Sequence, residues 1–198
     1  MNNLVGKLIQ NCEKMPDKIC LIQKWRKVTY KDLYKMVSNF KEDLEKKGIR
    51  RGQKVLVLVP MSIELYVTLL SIWAIGAVPC FMDAGFIRNG MYKNDFDNID
   101  AVIGFTKYII YSNINKNLRN LKIKVNTNKI GTIISKKLKI AEVENGFSAI
   151  LTYTSGTTGK PKIAARTHEF LGYQGEILEQ TINYEDTDIE ISSVPIFT

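Results

Sequence analysis

Residues 154–162 hold a dense set of anion-binding groups, with the sequence TSGTTGKPK. Glycines let the backbone approach an anion closely and point its N–H groups at it, and hydroxyls add further donors. Lysines supply the positive charge that attracts phosphate oxygens. The composition therefore predicts a phosphate-binding loop, whose candidate ligands are Thr154, Ser155, Gly156, Thr157, Thr158, Gly159, Lys160 and Lys162.

This loop is not a Walker A motif, which needs four residues between its glycines and a Ser or Thr after its lysine. Here two residues separate Gly156 from Gly159, and Pro161 follows Lys160. A loop rich in Gly, Ser and Thr is by itself more often a flexible connector than a phosphate site. The full string is more specific than that, because it directly follows an apolar run.

The elements on either side must position the loop. Residues 148–153 have the composition of a strand, and residues 162–166 can form the strand that returns. Thr167 and His168 then open a predicted helix with apolar residues at helical spacing. His168 is the sole histidine. A structural role near the helix N-terminus is favoured for it over a catalytic one, although histidine is a frequent acid or base.

Upstream of the loop, hydrophobic spacing and capping signals predict alternating helices and strands. The predicted elements are a helix from Leu4 that ends at Pro16, a hairpin of 19–23 with 27–29, a helix capped by Thr29 and closed by Gly48, a strand, helix and strand within 54–82, and a strand and helix within 99–112. A last strand is predicted at about 188–194. Together they indicate an α/β fold with a mixed or largely parallel sheet flanked by helices.

Residues 65–82 form a run of 18 uncharged residues, which is the lower limit for a membrane-spanning helix. Gly76 and Pro79 interrupt the last third of this run. A buried strand at 55–59, a buried helix over 63–75 and a second strand account for every break. The sequence therefore favours a soluble α/β protein without a membrane span.

Composition excludes several classes of protein. The chain has 198 residues, of which 45% are hydrophobic and 10% aromatic, with only 5 prolines, so neither a disordered nor a collagen-like chain is indicated. Three cysteines are an odd and sparse set, which suits a reducing compartment such as the cytoplasm.

Positive charge is concentrated in residues 101–141, which contain nine Lys or Arg and no Asp or Glu. The chain as a whole carries +8, so the remainder sums to −1. A nucleic-acid groove would interleave aromatic residues with the charge, whereas Asn, Ile and Leu predominate here. A solvated face is therefore favoured over nucleic-acid binding.

Residues 152–162, TYTSGTTGKPK, resemble the phosphate-loop signature of the adenylate-forming superfamily, which includes acyl-CoA synthetases, nonribosomal-peptide adenylation domains and firefly luciferase. Weaker features follow in the order of that family. Residues 28–33 (VTYKDL) resemble its first core motif, and 48–55 resemble its G-I-x-x-G-D-x-V segment. Residues 72–83 (IWAIGAVPCFMD) resemble its second core motif, and 194–197 (VPIF) resemble the start of the motif at the acyl-binding pocket.

The resemblance implies an AMP-forming acid ligase that uses ATP and Mg²⁺ to convert a carboxylic acid to an acyl-adenylate. CoA or another nucleophile then takes the acyl group. Lys162 matches the basic position of the family signature, whereas Lys160 falls at a variable position. Pro195 and Phe197 would lie at the acyl-binding pocket, the remaining loop residues would hold the β- and γ-phosphates, and no residue here is assigned as a general base, nucleophile or metal ligand.

The sequence departs from the family pattern at three positions: Gln53 replaces the usual Asp, Ile163 replaces a Gly, and Thr198 stands where acyl-CoA synthetases often have His. Residues 166–168 and 195–197 resemble the fatty-acid ligase branch that includes olefin β-lactone synthetases. A fatty acid is therefore the expected substrate.

Several parts of the family pattern do not occur in these residues. They are the adenine-binding stretch with its Mg²⁺-associated Glu, the ribose-binding Asp, the hinge, and the C-terminal domain with its catalytic Lys. Residues 1–198 are therefore expected to be an incomplete, N-terminal part of the large adenylate-forming domain, inactive alone, with the missing portion as a partner. The alternatives are a non-catalytic fragment or partner subunit and, less favoured, a basic nucleic-acid-binding protein.

Overall fold

Six strands form one sheet at the centre of the described chain. The structure, a computed structural model, describes residues 3–82, 98–130, 137–154, 162–183, 185 and 187–192, with the backbone alone at 129 and 154. In chain order the elements are α1 (Val5–Lys14), β1 (Ile19–Gln23), β2 (Arg26–Thr29), α2 (Tyr30–Lys46), β3 (Lys54–Leu58), α3 (Ile63–Ile75), β4 (Val78–Met82), β5 (Ala101–Gly104), α4 (Thr106–Ile114), β6 (Ile123–Asn126), a 3₁₀ turn (Thr127–Lys129), β7 (Ser148–Thr154), β8 (Lys162–Thr167) and α5 (His168–Ile182).

The strands of the large sheet lie in the order β6-β5-β3-β4-β7-β8. All neighbours are parallel except β8, which pairs antiparallel with β7. The predicted α/β fold with a mixed, largely parallel sheet is confirmed. Strands β1 and β2 form a separate antiparallel hairpin, which was also predicted.

Local capping explains where the two central helices begin and end. The Thr29 hydroxyl oxygen accepts the Asp32 backbone N–H at 3.1 Å, so the predicted N-cap of α2 is confirmed. Gly48 follows that helix with a φ of 98°, the left-handed conformation that glycine adopts without strain. Ser62 caps α3 in the same way as Thr29 caps α2, and Gly76 ends it with a φ of 75°, which turns the chain directly into β4.

Apolar side chains from β3 pack on both faces of the sheet. Val55 and Val57 lie in the layer shared with α1, α2 and α3, whereas Leu56 lies in the opposite layer with Cys80 and Leu151. Burial on both faces is typical of parallel strands covered by helices, and it explains the continuous apolar run of β3. None of the helices in the described ranges is both long enough and apolar enough to cross a membrane.

The predicted strand at about 188–194 is wrong for the part that the structure describes. Residues 188–192 have no strand conformation, and the side chains of Ile189 and Ile191 are 73% and 86% exposed. The Asp188 N–H donates to the Glu185 carbonyl at 3.0 Å, and the Glu185 N–H donates to the Asp188 carboxylate at 2.8 Å. The alternation of isoleucine with acidic residues satisfied the period of a strand, but these backbone groups are bonded within a turn. Residues 193 and 194 lie outside the described residues.

Candidate functional site

The two strands that flank the candidate phosphate loop form an antiparallel hairpin, as predicted. Tyr153 lies opposite Ile163, and Thr154 lies opposite Lys162. The structure thus places the backbone of the first and last candidate ligands side by side. The other candidates lie outside the described residues, namely Ser155, Gly156, Thr157, Thr158, Gly159, Lys160, Pro195 and Phe197.

The hairpin brings the loop to the carboxyl edge of the sheet. Strand β7 runs parallel to β4, with Cys80 opposite Leu151 and Met82 opposite Tyr153. Thr154 therefore follows at the edge where the other parallel strands also end. Ligands of open α/β sheets bind outside the carboxyl ends of the strands. The predicted phosphate loop thus connects two strands at the edge of the fold that usually binds ligands.

Strand β7 is firmly anchored, whereas β8 is exposed. Ala149, Leu151 and Tyr153 point into the protein and are each at most 8% exposed. On the other face the Thr152 hydroxyl donates to the Ala164 carbonyl at 3.4 Å and accepts from the Arg166 guanidinium at 3.5 Å. Residues 162–166 are all exposed, so Lys162 begins β8 on a solvent-facing strand.

His168 lies at the base of the hairpin, at the end away from the loop. Its backbone N–H donates to the Phe147 carbonyl at 3.3 Å, and its Nδ1 accepts the Leu4 N–H at 3.4 Å. Its ring stacks on Phe147 with 6.4 Å between ring centroids, and it meets Trp73 edge-on at 5.7 Å. The side chain is 2% exposed. Strand β7 separates this ring from the loop by about 20 Å, given the rise of a strand.

Burial lowers the pKa of His168 to about 4, so the imidazole is neutral at neutral pH. A buried neutral ring far from the loop holds elements together and is not placed to exchange protons at the loop. The structural interpretation of His168 is therefore supported. The predicted helix start is confirmed, because the Thr167 hydroxyl accepts the Phe170 N–H at 3.0 Å.

Trp73 contacts the base of the hairpin, and the sequence alone did not predict this role. It lies in the last turn of α3, and its indole Nε1–H donates to the Ala149 carbonyl of β7 at 2.6 Å. The available signal was chemical: an indole N–H in a largely apolar helix needs an acceptor when buried. Its partner is 76 residues away, so local spacing could not identify it.

The basic segment at 101–141 contributes at least one lysine to the internal structure. The Lys124 ammonium donates to the Ser112 carbonyl at 3.2 Å, the Asn113 side-chain oxygen at 2.8 Å and the Arg119 carbonyl at 3.2 Å. Three acceptors within the protein occupy all three N–H donors of this group. Lys124 therefore holds α4 and the chain after it against β6.

Comparison with known sequences identifies a family and several relatives. The profile of the family described as AMP-binding enzyme matches residues 8–198. The chain is 25% identical over 199 residues to the 2-succinylbenzoate–CoA ligase of Bacillus cytotoxicus, covering 100% of this chain and 40% of that protein. It is 27% identical over 170 residues to the acetyl-coenzyme A synthetase of Pyrobaculum aerophilum, covering 69% and 25% respectively. The chain thus spans two fifths or less of the length of these curated relatives.

Solved structures share the fold. Apo MatB from Rhodopseudomonas palustris superposes with a TM-score of 0.85 at 18% identity, covering 99% of this chain and 40% of that one. The O-succinylbenzoate coenzyme A synthetase of Bacillus subtilis, in complex with ATP and magnesium ion, superposes with a TM-score of 0.78 at 17% identity, covering 96% and 51%.

Replacing His168 by Asn keeps a polar acceptor near Leu4 but removes the titrating ring. The native pKa of about 4 lies below the unfolded value of about 6.5, so the unfolded chain binds a proton first as the pH falls. The free energy of unfolding of the wild-type protein should therefore decrease as the pH falls from 6.5 to 4. His168 contributes a decrease of up to about 1.4 kcal/mol per pH unit. Urea unfolding of both proteins at pH 7, 6 and 5 gives the free energy of unfolding at each pH. An equal pH dependence in the two proteins would contradict the lowered pKa of the buried His168.

Proposed function

Because this chain belongs to the AMP-binding enzyme family, we propose that it supplies the phosphate-binding part of an enzyme that activates a carboxylic acid with ATP. The carboxylate attacks the α-phosphorus, pyrophosphate leaves, and the acyl-adenylate then passes its acyl group to CoA or another nucleophile. One observation carries this proposal. The loop with the family signature joins β7 to β8 at the carboxyl edge of a largely parallel sheet.

The physical demand on the loop is to neutralise polyphosphate charge without reorganising during the reaction. Backbone N–H groups at Gly156 and Gly159 would bind phosphate oxygens, together with the hydroxyls of Thr154, Ser155, Thr157 and Thr158. Lys162 would add a positive charge from the exposed first position of β8. Lys160 serves as an auxiliary charge in this proposal.

The described residues fit a polyphosphate better than they fit a metal ion held by the protein. Lys162 faces solvent beside the last residue of β7, where an anion can approach. Within the described ranges, no group of three or more His, Cys, Asp or Glu is placed to bind a metal. We therefore assign Mg²⁺ to the nucleotide phosphates, where it would offset their charge, and derive no step through it.

We propose a fatty acid as the substrate and CoA as one acceptor. The support is the likeness of residues 166–168 and 195–197 to the fatty-acid ligase branch, with Pro195 and Phe197 at the start of the acyl pocket. The relatives are named an acetyl-coenzyme A synthetase and a 2-succinylbenzoate–CoA ligase, and both names favour CoA as the acceptor. One name refers to a small acid and the other to a larger acid, so the names do not select the size of the substrate. The sparse cysteines favour a cytoplasmic location.

We also propose that catalysis needs protein outside these 198 residues, whether the rest of a longer chain or a separate subunit. The support is the absence from the sequence of the later family motifs that bind adenine and ribose and supply the catalytic lysine.

Lys162→Ala should weaken binding of MgATP by about tenfold or more, since a hydrogen bond to a charged group contributes about 1.5–3 kcal/mol. Lys160→Ala should weaken it by less than about threefold, because this lysine has an auxiliary role. Lys162→Arg is the matched control, since it keeps the charge. Isothermal titration of the four proteins gives the dissociation constants. An equal or larger loss in Lys160→Ala would contradict the assignment of the two lysines.

The purified 198-residue protein should show no exchange of labelled pyrophosphate into ATP with acetate, 2-succinylbenzoate or dodecanoate. The physical reason is that the phosphate loop alone cannot orient the nucleotide and the carboxylate for in-line attack. Exchange well above the acid-free control would overturn the need for additional protein. The acid that supports such exchange would also reveal the substrate class.

A further inference from the structure

The first half of β7 is attached to the rest of the protein differently from its second half. The parallel pairing with β4 begins where Cys80 lies opposite Leu151. Pro79, the preceding residue of β4, has no N–H to donate. The Ala149 carbonyl, two residues before Leu151 in β7, accepts the Trp73 indole N–H at 2.6 Å. Besides its antiparallel pairing with the exposed strand β8, β7 therefore has two attachments to the interior of the protein, β4 over residues 151–153 and Trp73 at Ala149.

Trp73 is itself held by a buried polar contact. Its backbone carbonyl accepts from the Asn3 side-chain amide at 2.7 Å, and the same amide donates to the Ala141 carbonyl at 3.1 Å. The Asn3 side-chain oxygen accepts the Val5 N–H at 3.1 Å, and Asn3 is 2% exposed. The last turn of α3 is thus tied to the start of α1 and to the chain that leads into β7.

The indole also contacts the other leg of the hairpin. It meets the ring of His168, which follows β8 directly, with 5.7 Å between centroids and an angle of 71° between planes. His168 closes the base of the hairpin through its N–H bond to Phe147, and the two rings stack. We call Trp73, Phe147 and His168 the aromatic clamp. The Trp73 side chain on α3 therefore contacts β7 and also the residue that directly follows β8.

We propose that Trp73 is a positioning residue for the phosphate loop and acts through the direction of β7. The proposal rests on the proposed function of that loop. The pairing with β4 holds residues 151–153, and the bond to Trp73 extends the held length of β7 back to Ala149, which makes a tilt of the strand harder. Because Thr154 and Lys162, at the two ends of the loop, lie about 20 Å from the clamp, a tilt of about 5° would move them by nearly 2 Å. A displacement of 1 Å in a binding constellation is enough to impair it.

Trp73→Phe tests the clamp, because it keeps an aromatic ring and removes the N–H donor. The matched control is Ser71→Ala, on the same helix, which removes the bond from the Ser71 hydroxyl to the Val37 carbonyl of α2 at 3.2 Å. Each variant loses one side-chain donor to a backbone carbonyl, and Trp73→Phe also loses part of a ring that packs against the core, so both should lower the melting temperature. Only Trp73→Phe alters a hairpin attachment.

Hydrogen–deuterium exchange of the wild-type protein and both variants gives the ligand-independent result. Trp73→Phe should speed amide exchange in 148–154 and 162–167 at least threefold, while Ser71→Ala should leave these segments at the wild-type rate. Unchanged hairpin exchange in Trp73→Phe, or equal acceleration in both variants, would overturn the clamp. This result stands whether or not the protein binds nucleotide.

Titration with MgATP then connects the clamp to the loop. Affinity should fall threefold to tenfold in Trp73→Phe and stay within twofold of wild type in Ser71→Ala. Replacing Trp25, which lies on the exposed turn of the small hairpin, by Phe leaves Trp73 as the sole tryptophan. The fluorescence emission of Trp73 in this variant should change on saturation with MgATP. The positioning role would be overturned if MgATP binds, the emission of Trp73 stays constant, and Trp73→Phe binds MgATP as tightly as the wild-type protein does. Failure of the wild-type protein to bind MgATP would instead overturn the proposed function, leaving the clamp to be judged by exchange.

Discussion

The pairing of β7 alongside β4 is the constraint on which the candidate site depends. An anion-binding loop stabilises developing charge only when its donors are fixed before the ligand arrives. Residues 155–161 are mostly small or polar, and the strands that flank them belong to the large sheet. Ala149, Leu151 and Tyr153 bury β7 in the sheet, and the register with β4 fixes where β7 ends at the edge of the sheet.

Features that depend on neighbouring residues could be predicted from the sequence. The cap at Thr29, the glycine at Gly48 and the helix at Ile63–Ile75 follow from local hydrogen bonding, backbone freedom and hydrophobic spacing. The hairpin around the loop was predictable for the same reason, since two apolar runs flank a turn-forming string. Local signals failed at 188–192, where alternating isoleucine and acidic side chains predicted a strand and the structure has none.

Features that depend on distant contacts could not be predicted. The strand order β6-β5-β3-β4-β7-β8 joins segments that are far apart in the chain, and no local pattern states which strands are neighbours. The bond from Trp73 to Ala149 and the burial of His168 against Trp73 belong to the same class. For the candidate site, the sequence could therefore predict candidate binding groups, and the fold was needed to show what holds the strands on either side of them.

We propose that the loop between β7 and β8 binds the phosphates of ATP through its backbone. Amide chemical shifts of isotopically labelled protein, followed by nuclear magnetic resonance during titration with MgATP, test it most directly. The N–H signals of Gly156 and Gly159 should shift strongly and saturate together, since phosphate oxygens would accept from them. Saturable shifts confined to other parts of the chain, with both glycine signals unmoved, would contradict it.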